Sequence, residues 1–179
     1  MMRVIGVVGP SGVGKDTVMA ALMQARPGLY RARRVITRPA LAGGEAFCPV
    51  DEAGFDRMVA AGDFALWWKA HGLRYGVRVA EIAEKPERDA VLVNLSRGVL
   101  DQARVQFDGF RILSLRAKPE VLAARLADRG RETKAGIAAR LARADHLRPA
   151  GQDVIEISND GALQDTVMAI LRALYPERA

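Results

Sequence analysis

The stretch Val4-Ile-Gly-Val-Val-Gly-Pro-Ser-Gly-Val-Gly-Lys-Asp-Thr17 constrains this chain more than any other, because it joins a short apolar run, a glycine-rich turn and the start of a helix. Gly9, Gly12 and Gly14 allow backbone conformations that a side chain would forbid, so successive amides can turn inward around an oxyanion. Lys15 adds a mobile positive charge at a helix N-terminus, where the macrodipole already favours anions. Gly9-Pro10-Ser11-Gly12-Val13-Gly14-Lys15 has the spacing G-x-x-x-x-G-K between a predicted strand and an amphipathic stretch, which is that of a phosphate-binding loop.

The position after the lysine departs from the P-loop pattern. Where a Ser or Thr hydroxyl usually meets Mg²⁺, this chain has Asp16, with Thr17 behind it. A carboxylate is a hard oxygen ligand that can hold Mg²⁺ directly or through water. The alternative is that Asp16 is only a favourable charge in the first turn of the helix.

At 179 residues, half of them apolar, the chain can bury one substantial core and fits a single domain with insertions. No apolar run approaches the length of a membrane span, and Met1-Met2-Arg3 leads directly into the first strand, so neither a membrane segment nor a signal peptide is expected. A lone cysteine, Cys48, excludes an intramolecular disulfide and suits a reducing, cytoplasmic compartment. The net charge of +6 is concentrated in two arginine-rich clusters: Arg31, Arg33, Arg34 and Arg38, then Arg125, Arg129, Arg131, Lys134, Arg140 and Arg143. With only 6% aromatic residues a stacking platform for nucleic acid is poorly supported. Small phosphorylated ligands are the expected partners, with no nucleic acid and no membrane.

Strands are expected at 3–8, 30–36, 90–95, 111–115 and 154–157, alternating with helices that start at Lys15, near Gly98, at Pro119 and near Leu163. That alternation implies an α/β fold with a doubly wound parallel sheet. The middle of the chain breaks it. Asp51 can cap a short helix that Gly62 ends, and 64–69 and 73–79 form two strands around a tight turn at His71-Gly72. The expected division is a core of 1–30, 88–126 and 148–179, a small mixed α/β substrate-binding insertion at 31–87, and a helical lid at 127–147 whose second helix runs over 137–147.

With the P-loop, the Thr37-Arg38-Pro39 loop ending in Gly44-Glu45, the segment Gly62-Asp-Phe-Ala-Leu-Trp67, the run His71-Gly-Leu-Arg-Tyr-Gly76 and Arg129-Gly130, the chain resembles the guanylate kinase family over nearly its whole length. Within that family it is most similar to the ribose 1,5-bisphosphate phosphokinases, on the Gly-Lys-Asp junction and on Phe64-Ala-Leu-Trp-Trp-Lys-Ala-His-Gly-Leu-Arg-Tyr-Gly76. The resemblance implies a P-loop kinase that uses ATP and Mg²⁺, acting in phosphonate breakdown and in supply of 5-phosphoribosyl 1-diphosphate. It implies ATP contacts from Gly9 through Thr17 and from Asn159. It also implies that Lys15 and the lid residues Arg129 and Arg140 act on the transferred phosphoryl group.

The departures from guanylate kinases point to the acceptor. Three positions at which that family reads the base are Leu66, Val77 and Leu95 here, all aliphatic. Burying guanine against them would leave its donors and acceptors unpaired at about 1–3 kcal/mol each. The phosphate-reading side keeps Arg38, loses a second arginine to Leu41, and gains Arg74 beside Tyr75. Arg38 and Arg74, with Arg34, are therefore expected to grip the two phosphates of a sugar bisphosphate. A phosphate acceptor is already ionised and needs no general base; His71, in the insertion, reads as a turn residue. A nucleoside monophosphate kinase of altered base choice and a catalytically silent interaction module are the competing readings. The aliphatic positions weigh against the first, and the intact Gly9, Gly14 and Lys15 against the second.

Overall fold

The computed structural model describes residues 3–39, 46–83, 88–128 and 148–176. Aliphatic runs buried on both faces make the strands β1 (Arg3–Val8), β7 (Ala90–Asn94) and β8 (Arg111–Arg116), and the less buried β2 (Leu29–Arg31) and β9 (Val154–Ser158) flank them. They form one parallel sheet in the order β2-β7-β1-β8-β9. Parallel neighbours need crossovers, which contain helices α1 (Lys15–Ala25), α4 (Leu100–Gln106, entered through a 3₁₀ turn at Arg97–Val99) and α5 (Pro119–Asp128), and α6 (Leu163–Leu174) follows the last strand.

Side-chain alternation along the central strand sorts the core into two. Ile5 and Val7 pack with Val18, Met19 and Leu22 of α1 and with Val167, Ile170 and Leu174 of α6. Val4 and Val8 point the other way, toward Leu100 and Ala103 of α4. That second face is covered further by a four-stranded mixed sheet, β4-β3-β6-β5, built from β3 (Arg34–Ile36), β4 (Cys48–Pro49), β5 (Phe64–Ala70) and β6 (Leu73–Arg78). Its Leu66, Trp68 and Val77 join the same apolar cluster. Helices α2 (Glu52–Ala60) and α3 (Val79–Ala83) flank it in sequence.

The local signals of the insertion act as expected. Asp51 accepts a hydrogen bond from the Gly54 amide at 2.6 Å and starts α2. His71 and Gly72 join β5 to β6 with φ of 53° and 73°, the left-handed pair of a type I′ hairpin turn.

The single strand expected over 30–36 is two strands in two sheets. Leu29–Arg31 pairs with β7 in the core, whereas Arg34–Ile36 pairs with β6 in the insertion. The ladder changes hands at Ala32 and Arg33: the Ala32 amide still donates to Leu92 O at 3.0 Å, but that of Arg33 donates to the Glu81 carboxylate at 2.9 Å. Arg129, Arg131, Arg140 and Arg143 of the expected lid, the helix expected at 137–147 and the Gly44-Glu45 pair lie outside the described residues. Among the described residues no helix is long and apolar enough to cross a membrane.

Candidate active site

The phosphate cradle stands at the carboxyl end of β1, where ligands of open parallel sheets bind. Gly12 and Gly14 hold φ of 85° and 91°, and Gly14 is the N-cap of α1 with no side chain to satisfy the first-turn amides. Those donors are left for an anion. A Cβ at Gly9 would stand 2.7 Å from Leu115 O, so the loop lies directly against β8. Pro10 and Ser11 form its outer turn, with Pro10 O accepting from the Val13 amide at 3.3 Å. Val13 is fully buried and anchors the loop from beneath.

Lys15 folds over this loop, donating from Nζ to Gly9 O at 2.9 Å and to Pro10 O at 3.4 Å. Its charge therefore sits above the amides rather than out in solvent. Asp16, the next residue, is 52% exposed and forms an ion pair with Arg31 at 2.6 Å. Arg31 ends β2, so this pair ties the first turn of α1 to the edge strand of the core sheet. Sequence reasoning placed Arg31 only in a charge cluster; its partner could not be read from local spacing.

Beside the loop is a cleft of about 310 Å³ lined by Gly12, Gly14, Thr17, Arg125, Asn159, Gly161 and Leu163. Asn159, expected as a nucleotide contact, has a different local task. It is buried, donates from Nδ2 to Val13 O at 2.7 Å, and accepts at Oδ1 from Thr166 Oγ1 at 2.8 Å. Its amide is committed to holding the P-loop against α6. Arg125 Nη1 reaches the same Val13 carbonyl at 3.4 Å, so α5 contributes a cation to the cleft that the sequence reading left unassigned. Asp160 closes the turn after β9 by accepting from the Lys118 amide at 2.6 Å and from Ser158.

The residues expected on the acceptor side separate by strand parity. Register pairs Arg34 with Val77, Ile36 with Tyr75, Leu66 with Val77 and Trp68 with Tyr75, so these side chains share one face of the second sheet. That face packs toward the core sheet. Arg34 is buried there, its guanidinium 4.9 Å from the Tyr75 ring centroid and 5.9 Å from that of Trp68. Arg38 lies just past the end of β3 and covers the Phe47 ring at 4.4 Å.

Arg74 is on the opposite face, which corrects the expectation that it joins Arg34 in one grip. It hydrogen-bonds Asp56 at 2.6 Å and Glu52 at 3.2 Å on α2 and lies 4.3 Å from the Phe55 ring centroid. The bond to Asp56 raises its pKa further, so it is a fixed cation committed to α2. Arg74→Ala should lower stability by about 1 kcal/mol and leave acceptor KM within about twofold. Thermal melts and an acceptor titration check this, and a large rise in KM would return Arg74 to the site.

Glu81 of α3 holds the two sheets in place. It is buried and accepts from Tyr30 Oη at 2.5 Å, from the Arg33 amide at 2.9 Å and from Arg78 at 3.3 Å. Burial opposes its ionisation, but the bonds from Tyr30, Arg33 and Arg78 outweigh this and keep its carboxyl below the usual carboxylate range. Burial and the same bond push the Tyr30 phenol up to about 12. A neutral tyrosine thus donates to an ionised glutamate, and Arg34, one residue past this anchor, inherits a fixed position.

No family model matches the chain. It is 52% identical over 177 residues to the ribose 1,5-bisphosphate phosphokinase PhnN of Ruegeria sp. (strain TM1040), covering 98% of this chain and 93% of that protein. Identity is 46% to the protein of the same name from Pantoea vagans (strain C9-1), with 97% and 98% covered. It is 40% to the one from Agrobacterium fabrum (strain C58 / ATCC 33970), with 95% and 94% covered. Among solved structures, guanylate kinase from Anaplasma phagocytophilum superposes with a TM-score of 0.62 at 17% identity, covering 99% of this chain and 85% of that one. A gluconokinase from Sinorhizobium meliloti 1021 gives 0.55 at 21% identity, with 96% and 91% covered. The fold is therefore that of the guanylate kinase-like P-loop kinases, and the chain belongs to the ribose 1,5-bisphosphate phosphokinase family.

Proposed function

We propose that this protein transfers the γ-phosphoryl group of ATP to the 1-phosphate of ribose 1,5-bisphosphate, giving 5-phospho-α-D-ribosyl 1-diphosphate and ADP. The observation that carries this is the character of the acceptor face. Arg34 and Tyr75 offer a buried cation and a phenol, while Leu66, Val77 and Leu95 are each under 5% exposed and present no polar atom to a base. A sugar bisphosphate has phosphates to be held and no base to be read.

In this reaction an oxygen of the ionised 1-phosphate forms a bond to the γ-phosphorus as the bond to the β,γ-bridging oxygen breaks, and ADP leaves with that electron pair. The protein's part is alignment and charge neutralisation. The amides of 9–15 and Lys15 hold the triphosphate of ATP, with the nucleoside toward the cleft at Arg125, Gly161 and Leu163. Arg34, Arg38 and Tyr75 hold the acceptor phosphates. Arg129 and Arg140, which lie outside the described residues, are assigned to the transferred group by the family resemblance, because a planar guanidinium matches its equatorial oxygens.

The residues present fit Mg²⁺. Among the described residues no group of three or more His, Cys, Asp or Glu side chains converges, so an ion would take most ligands from phosphate and water, as Mg²⁺ prefers, with Asp16 as the protein carboxylate. When bound, the ion neutralises charge on the phosphates. Asp16→Ala should raise the Mg²⁺ concentration needed for half-maximal activity by roughly 10–100-fold. An unaltered Mg²⁺ titration at constant ionic strength would leave Asp16 as the partner of Arg31 alone.

The deciding assay supplies MgATP with either ribose 1,5-bisphosphate or GMP and identifies products by mass. The diphosphate sugar should form and GDP should not. Brisk conversion of GMP with the pentose left untouched would replace this reading by that of a nucleoside monophosphate kinase.

A further inference from the structure

The face that carries Arg34 and Tyr75 also carries Trp68, which neither the P-loop chemistry nor the phosphate grip uses. Its ring stacks on Tyr75 with centroids 5.4 Å apart and planes 11° from parallel. It is buried, and its only polar atom, Nε1, donates to Ser96 Oγ at 2.9 Å. Ser96 follows β7 and precedes the 3₁₀ turn, so the bond crosses from the second sheet to the core sheet at the carboxyl end of its strands. Around the indole stand Leu66, Val77 and Leu95 in one apolar cluster.

We infer that Trp68 is the acceptor's specificity-determining residue: its indole fills the space beside Arg34 and Tyr75 that the planar base of a nucleotide would need. The indole has the width and flatness of a purine. It occupies the face of Tyr75 on which a planar base could otherwise stack, and Ser96, just after β7 of the core sheet, satisfies its one donor. A ligand bound through phosphate at Arg34 is thereby limited to a body that does not extend between Tyr75 and the wall of Leu66, Val77 and Leu95. Pentose phosphates meet that limit and nucleotides do not. Trp68 also backs the ring on which Arg34 rests, so removing it loosens the grip on the permitted acceptor.

The inference rests on the sugar bisphosphate reading, and the test keeps the two apart. Turnover of ribose 1,5-bisphosphate by the unaltered protein decides that reading, whereas Trp68 is judged by the change between variant and wild type. In Trp68→Ala, the acceptor KM should rise at least about tenfold with kcat within about threefold and KM for ATP unchanged. GMP should have no effect on the wild type and should become a competitive inhibitor of the variant against the sugar bisphosphate, and added indole should reverse both changes, since a cavity lined by apolar side chains binds an apolar guest. Trp68→Phe keeps an aromatic ring on Tyr75 but loses the bond to Ser96 and part of the indole's bulk, so its acceptor KM and its sensitivity to GMP should fall between those of wild type and Trp68→Ala. If Trp68→Ala does not fold, Trp68→Leu takes its place with the same expectations. GMP inhibition equal in wild type and variant, or an acceptor KM that does not move in a folded variant, would overturn the inference. So would a loss shared equally by KM for ATP and not reversed by indole.

Discussion

Lys15→Ala should lower kcat by roughly 10²–10³-fold, the effect of removing one preorganised positive donor from a site where charge moves between oxygens. The side chain lies on the surface of the P-loop, its Nζ resting on Gly9 O and Pro10 O, so its removal leaves no cavity in the core. Stability should change little, and a thermal melt within about 2 °C of wild type separates a chemical loss from an unfolded protein. Lys15→Arg should not rescue the activity, because a planar fork cannot follow the short path a point charge takes over the loop. Single-turnover measurement with saturating MgATP checks the prediction. A kcat within tenfold of wild type would mean that the backbone amides alone carry the phosphate chemistry.

Asn159→Leu should act through both stability and nucleotide binding. The substitution keeps volume but leaves Val13 O and the Thr166 hydroxyl without Asn159 as a partner, at about 1–3 kcal/mol for each buried group that becomes unsatisfied. Among the described residues, Val13 O then retains the longer contact from Arg125, at 3.4 Å. Loosening that carbonyl disturbs Gly14, whose left-handed φ of 91° sets the direction of the first-turn amides. KM for ATP should therefore rise at least about tenfold while the acceptor KM stays nearly constant, since Asn159 has no bond to the second sheet. Asn159→Asp tests the polarity of the contact: it keeps the acceptor for Thr166 but sets a carboxylate oxygen against a carbonyl, and should be no better than Leu. A melt and ATP titration unchanged in both variants would reduce Asn159 to a packing residue.

These two effects differ in how far they could be foreseen. Lys15 was legible because the strand, the glycines and the helix start all fall within 14 residues, where backbone conformation and charge follow from neighbours. Asp51 as a helix cap and the His71-Gly72 turn were legible for the same reason. Asn159 was expected as a nucleotide contact and lines the cleft beside the P-loop, but its structural task was not readable: the carbonyl it holds is 146 residues away in sequence. The run from Tyr30 to Ile36 looked continuous because its composition is uniform. What divides it is Glu81, 48 residues beyond Arg33, taking an amide that would otherwise continue the ladder.

The arginines show the same limit. Arg34 and Arg74 both lie on strands and both appeared as cations of the insertion. Alternation within one strand orders its own side chains, yet it cannot say which face of β3 matches which face of β6. The pairing of Arg34 with Val77 settles that, placing Arg34 over Tyr75 and Trp68 and turning Arg74 to Asp56 and Glu52. Trp68 was visible only as part of a run that carried the family resemblance.

Leu66, Val77 and Leu95 stood out only through the resemblance to guanylate kinases, whereas the amino-acid order by itself determined a parallel α/β core and a P-loop with Lys15 at its mouth. Those features depend on contacts between near neighbours and on periodicity, which a linear chain displays. The tertiary structure decided which arginine lies on the face that packs toward the core sheet, what holds the P-loop from behind and where the indole of Trp68 goes. Each of these depends on strand register and on bonds between distant segments, and neither exists until the two sheets have packed together.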